Sequence, residues 1–502
     1  MNLKLLLEEA AKQYAGKTAV AMGDRKLSYV ELDEASNKVA NALTGMGVGK
    51  GDRVAMLLPN SPEFVTTYFG IVKLGGIAVL LDTKYKLTEL TAFINDCLPK
   101  VLVTESPLLE PIVPALPSFK SIKQVIEVGS DYKGQFLSYQ EIMDSSSVQM
   151  VDVEIMPEDT AHIAYSSGPA FPPRGTVMSH KSMVTEAMIS AVGFEQTDKD
   201  IMVLFALPMH HAFGLVAILL ASIHKGSTVV MLPGLSIGNL LELIERERVT
   251  MFLAVPFIYV LAVNMAAGEI IKHDLSSLRL CGSAGAALPV DIKERFQKHY
   301  GMNIVDFWGL TEASCHVTCQ SVNGVAKPGS VGKALPGWEL KTVDDNGREL
   351  PPNQPGEIIV RGPLMTEYYN RPEATARALR NSWLYTGDLG MVDEDGEVYL
   401  TGMKKDMINT KGQNIYPSDI EWVLHTHPKV AEVAVVGAPD EIRGETVKAI
   451  IGLKAGEMAT EQEIKRFCLE RLANYKVPKQ VIFTDSLPKT ATGRIDKEGL
   501  KH

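Results

Sequence analysis

The segment Tyr165-Ser-Ser-Gly-Pro-Ala-Phe-Pro-Pro-Arg-Gly175 follows the apolar pair Ile163-Ala164 and gathers Ser166, Ser167, Gly168 and Arg174 into one short loop. A glycine-containing loop after a strand can offer backbone N–H groups to a phosphate, and a basic residue adds charge. Pro169, Pro172 and Pro173 remove three of those donors, so taken alone the loop reads as a plain turn ahead of a helix starting after His180. Asp306-Phe-Trp-Gly-Leu-Thr-Glu312 ends an apolar run in a hydroxyl and a carboxylate, a pair able to touch a phosphate and its magnesium ion. Trp383-Leu-Tyr-Thr-Gly-Asp388 ends another in a carboxylate suited to ribose hydroxyls. Gly402 to Glu421 opens the last part of the chain with Lys404, Lys405, Lys411 and Gly412. Each segment also has a bland reading as a loop or helix cap.

Such segments need a scaffold to hold them. The chain has 502 residues, with 50 Lys+Arg against 60 Asp+Glu and a net charge of -10. A mild, dispersed acidic excess excludes a dedicated nucleic-acid binder, which needs clustered basic residues. At 46% hydrophobic and 22% charged the chain is globular, not disordered. Cys97, Cys281, Cys315, Cys319 and Cys468 are too scattered to staple this length, which points to a reducing, cytoplasmic setting. Met1 to Ala10 carries Lys4, Glu8 and Glu9 and lacks the apolar run of a secretory signal. Val203 to Ile223 is broken by Pro208, His210, His211 and Gly214, so we expect a buried core segment and no transmembrane helix.

Strand and helix signals alternate through the first third. Ser28 and Glu31 form a capping-box pair ahead of a helical pattern that Gly45, Gly47 and Gly49 stop. Arg53 to Leu58 reads as a strand, Pro62 to Leu74 as a helix and Ile77 to Leu81 as the next strand, which predicts a parallel sheet with covering helices. Further strands are expected at Val101 to Val103, Thr228 to Leu232, Thr250 to Val255 and Leu278 to Cys281. From about Pro328, frequent turns such as Asp345-Asn-Gly347 and Gln354-Pro-Gly356 predict a small β-rich lobe. Helix-strand alternation returns after Thr401, with a boundary near Lys405. The expected class is α/β: a large N-terminal domain of two parallel-type sheet-and-helix subdomains plus a β-barrel-like lobe, then a small α+β domain.

Taken together, the segments resemble the adenylate-forming superfamily of AMP-forming acyl-CoA synthetases, nonribosomal peptide adenylation domains and luciferases. The resemblance runs over essentially the whole chain. It is carried in order by the serine-rich loop, Leu207-Pro-Met-His-His-Ala-Phe-Gly214, Ser283-Ala-Gly-Ala-Ala-Leu288, Trp308-Gly-Leu-Thr-Glu312, Thr386-Gly-Asp388, Gly402 to Glu421 and Pro488-Lys-Thr-Ala-Thr-Gly-Arg494. Gly412-Gln-Asn-Ile-Tyr-Pro417 and His427 to Gly437 are most similar to fatty, medium-chain and carbocyclic acid-CoA ligases.

The resemblance implies a two-step reaction. A carboxylate attacks the α-phosphorus of ATP to give an acyl-adenylate and pyrophosphate, and the CoA thiol then displaces AMP. It implies a domain of residues 1–400 for ATP and the acid, a hinge at 401–405 and a mobile domain at 406–502. Matching positions give Thr311 to the α-phosphate, Glu312 to Mg2+, Asp388 to the ribose and Trp308, with Asp306, Phe307 and Gly309 around it, to the adenine pocket. Gly285, Ala286 and Ala287 line that pocket through their backbone. His211 borders the acyl site, Lys405 is the hinge residue, and Lys404, Lys411 and Gly412 lie near the phosphates of the nucleotide or CoA. Gly309 stands where acetate-type members carry a large side chain, and the apolar Phe213, Leu215, Ala284 and Leu310 offer no partner for an amine. The implied substrate is a monocarboxylic acid larger than acetate.

Three departures fall on working positions. Pro169, Ala170 and Phe171 replace two hydroxyl residues and a glycine in the phosphate loop, with Arg174 in place of lysine, and Met403 replaces an arginine. Arg494 stands for the lysine that bridges the substrate carboxylate and the α-phosphate, and its planar fork spreads charge that an ammonium concentrates. These changes leave further readings open: net flux toward ATP from acyl-CoA, AMP and pyrophosphate, a relative that binds acyl-adenylate or acyl-CoA without turnover, or an enzyme that loads a carrier protein in trans. A homodimer is left open as well. Cys315-His316-x-x-Cys319 lacks the second pair of a structural zinc site and reads as core.

Overall fold

The computed structural model describes residues 1–129, 134–165, 173–266, 273–324, 326–403, 407–488, 495 and 497–500. Among the site candidates, Ser166, Ser167, Gly168, Lys404, Lys405 and Arg494 lie outside the described residues.

Two large sheets dominate the first 370 residues, as the alternation of the sequence requires. The eight-stranded sheet has Arg53–Leu57 near its centre, parallel to Ile77–Leu80 on one side and to Val101–Glu105 on the other. Thr160–Ala164 continues it in parallel, and Thr176–Ser179 and Glu367–Tyr368 close that edge antiparallel. In the nine-stranded sheet, Ile304–Trp308, Leu280–Ser283, Met251–Ala254, Ile201–Phe205, Thr228–Leu232 and Thr18–Met22 run parallel. Arg25–Ser28 closes one end and Thr318–Cys319 with Lys333–Ala334 the other, all antiparallel.

Helices fill the space around both sheets. Pro62–Lys73 starts on a Ser61 cap with Pro at its first position and has every residue but Glu63 buried, so it packs on nearly all sides. Tyr29–Gly45 carries the complete Ser28–Glu31 capping box. The expected helix after the proline-rich loop is His180–Gly193, capped by Ser179. The membrane-like stretch resolves into the strand Ile201–Phe205, a tight loop and a buried helical segment, Phe213–Leu220 with Ala221–Lys225. No helix among the described residues is long and apolar enough to cross a membrane.

The turn-rich region forms an antiparallel sheet of Glu339–Val343, Gly356–Arg361, Trp383–Val392, Leu379–Arg380 and Val398–Met403. Asp388 sits within the ten-residue strand Trp383–Val392 and not at its end, because the irregularity at Leu389/Gly390 lets the strand bend and continue. The last sheet joins Gln413–Ile415, Ile408–Thr410, Gly444–Leu453 and Val430–Asp440 with the parallel strand Gln480–Thr484. It has its own apolar core, in which Ile420, Val423, Leu424, Ile464 and Leu472 pack on its strands.

Candidate active site

The carboxyl ends of parallel strands are where an open α/β fold leaves a crevice. Here the strands ending at Phe205, Ala254, Ser283 and Trp308 deliver the loops 206–213, 255–257, 284–288 and 309–312 to one cleft of about 1590 Å³. The same cleft is lined by Arg174, Asp388, Lys411 and Gly412, so segments read separately in the sequence meet in one place.

Thr311 and Glu312 open a single tight turn, Thr311–Ala313, separated by Gly309 and Leu310 from the end of the strand at Trp308. Glu312 Oε1 accepts a 2.7 Å hydrogen bond from the Tyr368 hydroxyl. The guanidinium of Arg174 lies over the Tyr368 ring at 5.1 Å, which holds a cation beside that carboxylate. Trp308 is buried, and its indole Nε1 donates to Asp388 Oδ2 at 3.0 Å. The two positions are 80 residues apart, and the bond orients the carboxylate toward the cleft. Asp306 lines the cleft, but its carboxylate is taken by Lys293, and burial raises its pKa. Phe307 packs edge-on against Phe194 and Phe213, at 5.2 and 5.1 Å.

Gly285 has φ +87, and Ala286 and Ala287 follow it on an exposed loop. Asn409 of the last sheet donates to the Gly285 carbonyl at 2.6 Å. Gly412 has φ +80, and a Cβ there would lie 2.6 Å from Val255, so the loop 409–414 comes this close only because the residue is glycine. Lys411 stacks its ammonium over the Phe257 ring at 4.2 Å. Desolvation lowers its pKa, and the charges of Arg443, Lys479 and Lys84 add to this; of these cations Lys84 also lines the cleft.

His211 faces the cleft next to buried His210, with ring centroids 4.6 Å apart. Desolvation, together with the His210 charge, pushes its imidazole down to about 3, so it is neutral at physiological pH. The loop carrying both is clamped by Asn60, which donates to the Leu207 carbonyl at 2.7 Å and accepts from Met209 N at 2.8 Å.

Gly309 lines the cleft and also has a second constraint. A Cβ there would meet the Cys315 carbonyl oxygen at 1.4 Å, so a crossing of backbones requires glycine here as well. The crossing strand is itself anchored, since His316 N donates at 2.8 Å to the fully buried Glu186, which also takes Trp338 Nε1 at 3.0 Å. His316 stacks on Phe194 at 4.5 Å with Cys315 and Cys319 buried nearby, as a core residue would. Among the described residues, the grouping spaced for a metal is Asp82, His210 and His211.

Sequence reasoning missed Tyr368, Asn60, Asn409 and Glu186. Asn409 lay within the quoted Gly402–Glu421 segment, but the other three carry no local signal. The five cysteines are all free and buried.

Residues 7–370 match the model of the AMP-binding enzyme family, and residues 419–494 match that of the AMP-binding enzyme C-terminal domain. A long-chain-fatty-acid–CoA ligase of Bacillus subtilis is 34% identical over 98% of this chain and 93% of its own length. An indoleacetate–CoA ligase of Aromatoleum aromaticum is 32% identical over 100% of this chain and 98% of its own. Among solved structures, a double mutant of the o-succinylbenzoate CoA synthetase of Bacillus subtilis, bound with a product analogue, superposes with a TM-score of 0.88 at 30% identity, covering 99% of this chain and 98% of that one. The chain belongs to the AMP-binding enzyme family, and within it to the AMP-forming acid–thiol ligases. ATP and CoA are the co-substrates of that class.

Proposed function

We propose that this protein activates a monocarboxylic acid larger than acetate as its acyl-adenylate and transfers the acyl group to CoA. The observation that carries this reading is the division of the cleft. Polar and charged groups gather at Thr311, Glu312, Asp388 and Arg174, while Leu207, Phe213, Ala284, Leu310, Cys315 and Val331 line it with no carboxylate or ammonium among them. A substrate amine or second carboxylate would be left without a partner there.

In the first step a carboxylate oxygen of the acid attacks the α-phosphorus and the bond to pyrophosphate breaks. Thr311 would contact the α-phosphate, Asp388 the ribose hydroxyls and Trp308 the adenine, with the Gly285 to Ala287 backbone, Asp306, Phe307 and Gly309 completing that wall. Neutral His211 can donate one hydrogen bond to the acid's carboxylate without adding charge. Glu312 suits a magnesium ion: Tyr368 occupies Oε1, leaving Oε2, and magnesium takes one or two carboxylates with phosphate oxygens. The ion would neutralise charge on the leaving pyrophosphate. Ser166, Ser167, Gly168 and Arg174 are proposed around the phosphates, and Arg494 as the cation between carboxylate and α-phosphate.

In the second step the CoA sulfur attacks the acyl carbonyl carbon and AMP leaves. Residues 401–405 are the proposed hinge between 1–400 and 406–502, with Lys405 as the hinge residue. Lys84 and Lys411, which line the cleft with Gly412, suit the CoA phosphates, and Lys404 is proposed to act with them. Five free, buried cysteines support a reducing, cytoplasmic setting.

The test is pyrophosphate release with ATP, magnesium and straight-chain acids from acetate to dodecanoate, alicyclic acids and aromatic acids, with and without CoA. The reading expects turnover with at least one acid larger than acetate and CoA-dependent AMP release. Turnover confined to acetate, or none with any acid, overturns it.

A further inference from the structure

Away from the reacting groups, a cluster of buried charge joins the large domain to the last sheet. Lys476 is 4% exposed, and its ammonium reaches Glu89 Oε1 at 2.7 Å and Asp419 Oδ2 at 2.8 Å, both carboxylates fully buried. Glu89 stands in the first turn of the helix Leu87–Cys97 of the large domain, whereas Asp419 and Lys476 belong to the last unit, on the helix Pro417–His425 and the turn Asn474–Lys476. The second Glu89 oxygen accepts from Lys86 N of its own helix at 3.1 Å and from Ala473 N of the other unit at 2.8 Å. The third side of the ammonium faces the Tyr85 ring at 5.3 Å. A reciprocal contact sets Lys84 of the large domain 5.8 Å from the Tyr475 ring.

The charges explain what such a cluster does. Desolvation raises the pKa of Glu89, while the two carboxylates raise that of Lys476 against the desolvation of its ammonium. A buried ion cluster is weak glue, because separation returns every ion to water, but it is exacting about geometry, because a misplaced partner leaves a charge unpaired in the interior. A contact of this kind defines one arrangement of two bodies without making that arrangement hard to leave. It also lies on the cleft, which Lys84, Tyr85, Lys86, Leu87, Leu90, Asn474 and Tyr475 help to line. The same arrangement brings Gly412 against Val255 and Asn409 onto Gly285.

We propose that Glu89, Lys476 and Asp419 are a positioning latch for the second half-reaction, holding the last unit over the cleft while the CoA thiol attacks, and that adenylate formation does not use it. This rests on the two-step reading above. Glu89→Gln keeps the size of the side chain but turns an amide N–H toward a donor on one side, since its neighbours are the Lys476 ammonium and two backbone N–H groups. Lys476→Gln removes the shared cation from the other unit.

The experiment uses the full chain and three readouts: pyrophosphate release with ATP and the best acid, thioester formation from octanoyl-AMP or benzoyl-AMP with CoA, and amide hydrogen exchange of the peptide containing Ala473. We expect thioester formation to fall tenfold or more in each variant, pyrophosphate release to stay within threefold, exchange at Ala473 to accelerate, and the double variant to be little worse than either single one. Equal loss of both half-reactions, or an unchanged thioester rate despite faster exchange, overturns the latch. If Lys476→Gln fails to fold, Glu89→Gln alone carries the comparison. A wild-type chain that turns over no acid sinks the ligase reading and not the latch as a contact, which the exchange measurement still decides, since unaltered exchange in the variants refutes it.

Discussion

Gly309→Ala separates two accounts of one residue. If the glycine serves to open the acyl pocket, a methyl group trims the range of acids and leaves the rest of the protein alone. The structure requires more, because a Cβ placed 1.4 Å from the Cys315 carbonyl oxygen cannot be accommodated by a side-chain rotation. Either the turn after Trp308 or the crossing segment must move. Moving the segment stretches the 2.8 Å bond from His316 N to buried Glu186 and disturbs the carboxyl that also holds Trp338. Overpacking costs about 1–3 kcal/mol, and an unsatisfied buried hydrogen-bonding group about 1–3 kcal/mol more. We therefore expect a destabilisation of about 2–6 kcal/mol, seen as a clear drop in the urea midpoint of the large domain. Because Thr311 and Glu312 lie only two and three residues beyond Gly309, kcat/KM should fall for every acid alike. The assay is a urea titration beside kcat/KM for a series of straight-chain acids. An unchanged midpoint with losses confined to the longer acids would refute the backbone-crossing account and restore the pocket-opening one.

Three further outcomes follow from the geometry. Trp308→Phe keeps an aromatic face but removes the indole donor to Asp388, and a hydrogen bond to a charged group is worth about 1.5–3 kcal/mol, so the KM for ATP should rise about tenfold or more with little change in unfolding; an unchanged KM removes that bond from nucleotide binding. Gly412→Ala should slow CoA consumption, because its Cβ strikes Val255 and φ +80 is strained for alanine, and adding Val255→Ala should recover part of the loss; full activity in the single variant would show that the loop need not approach this closely. His162 is buried, with its imidazole pushed down by desolvation to about 3 from an ordinary 6.5, so between those values the unfolded chain binds more protons. Its contribution is thus complete above pH 6.5 and is lost as pH falls, by about 1.4 kcal/mol per unit. His162→Phe, beside Tyr68, should flatten the decline of the urea midpoint between pH 6.5 and 4.5, and an unaltered slope would contradict this.

Much of the scaffold is legible locally. Capping pairs, periodicity and glycine stops act over a few residues, and so Tyr29–Gly45, Pro62–Lys73 and Thr228–Leu232 are found where the pattern puts them. Strands within the sheet centre shift by a residue or two, as with Leu280–Ser283, because pairing partners and not local propensity end a buried strand. Asp388 looked like the end of an apolar run and lies within a strand, since a bend in a ladder leaves no clear mark in composition.

By itself the sequence determined the α/β alternation, the turn-rich lobe, the separate last unit and the order of segments that could meet phosphate, ribose and acid. Only the tertiary structure decided which side chains hold those segments in place. Tyr368 anchors Glu312 from 56 residues away, Trp308 anchors Asp388 across 80, and Glu89 meets Ala473 and Lys476 across 384 and 387. A periodicity repeats every few residues and can be read off the chain, whereas a partner brought in by the packing of two sheets has no fixed spacing. A tyrosine or glutamate carries no sign of its role until folding removes the water around it and leaves one group within reach.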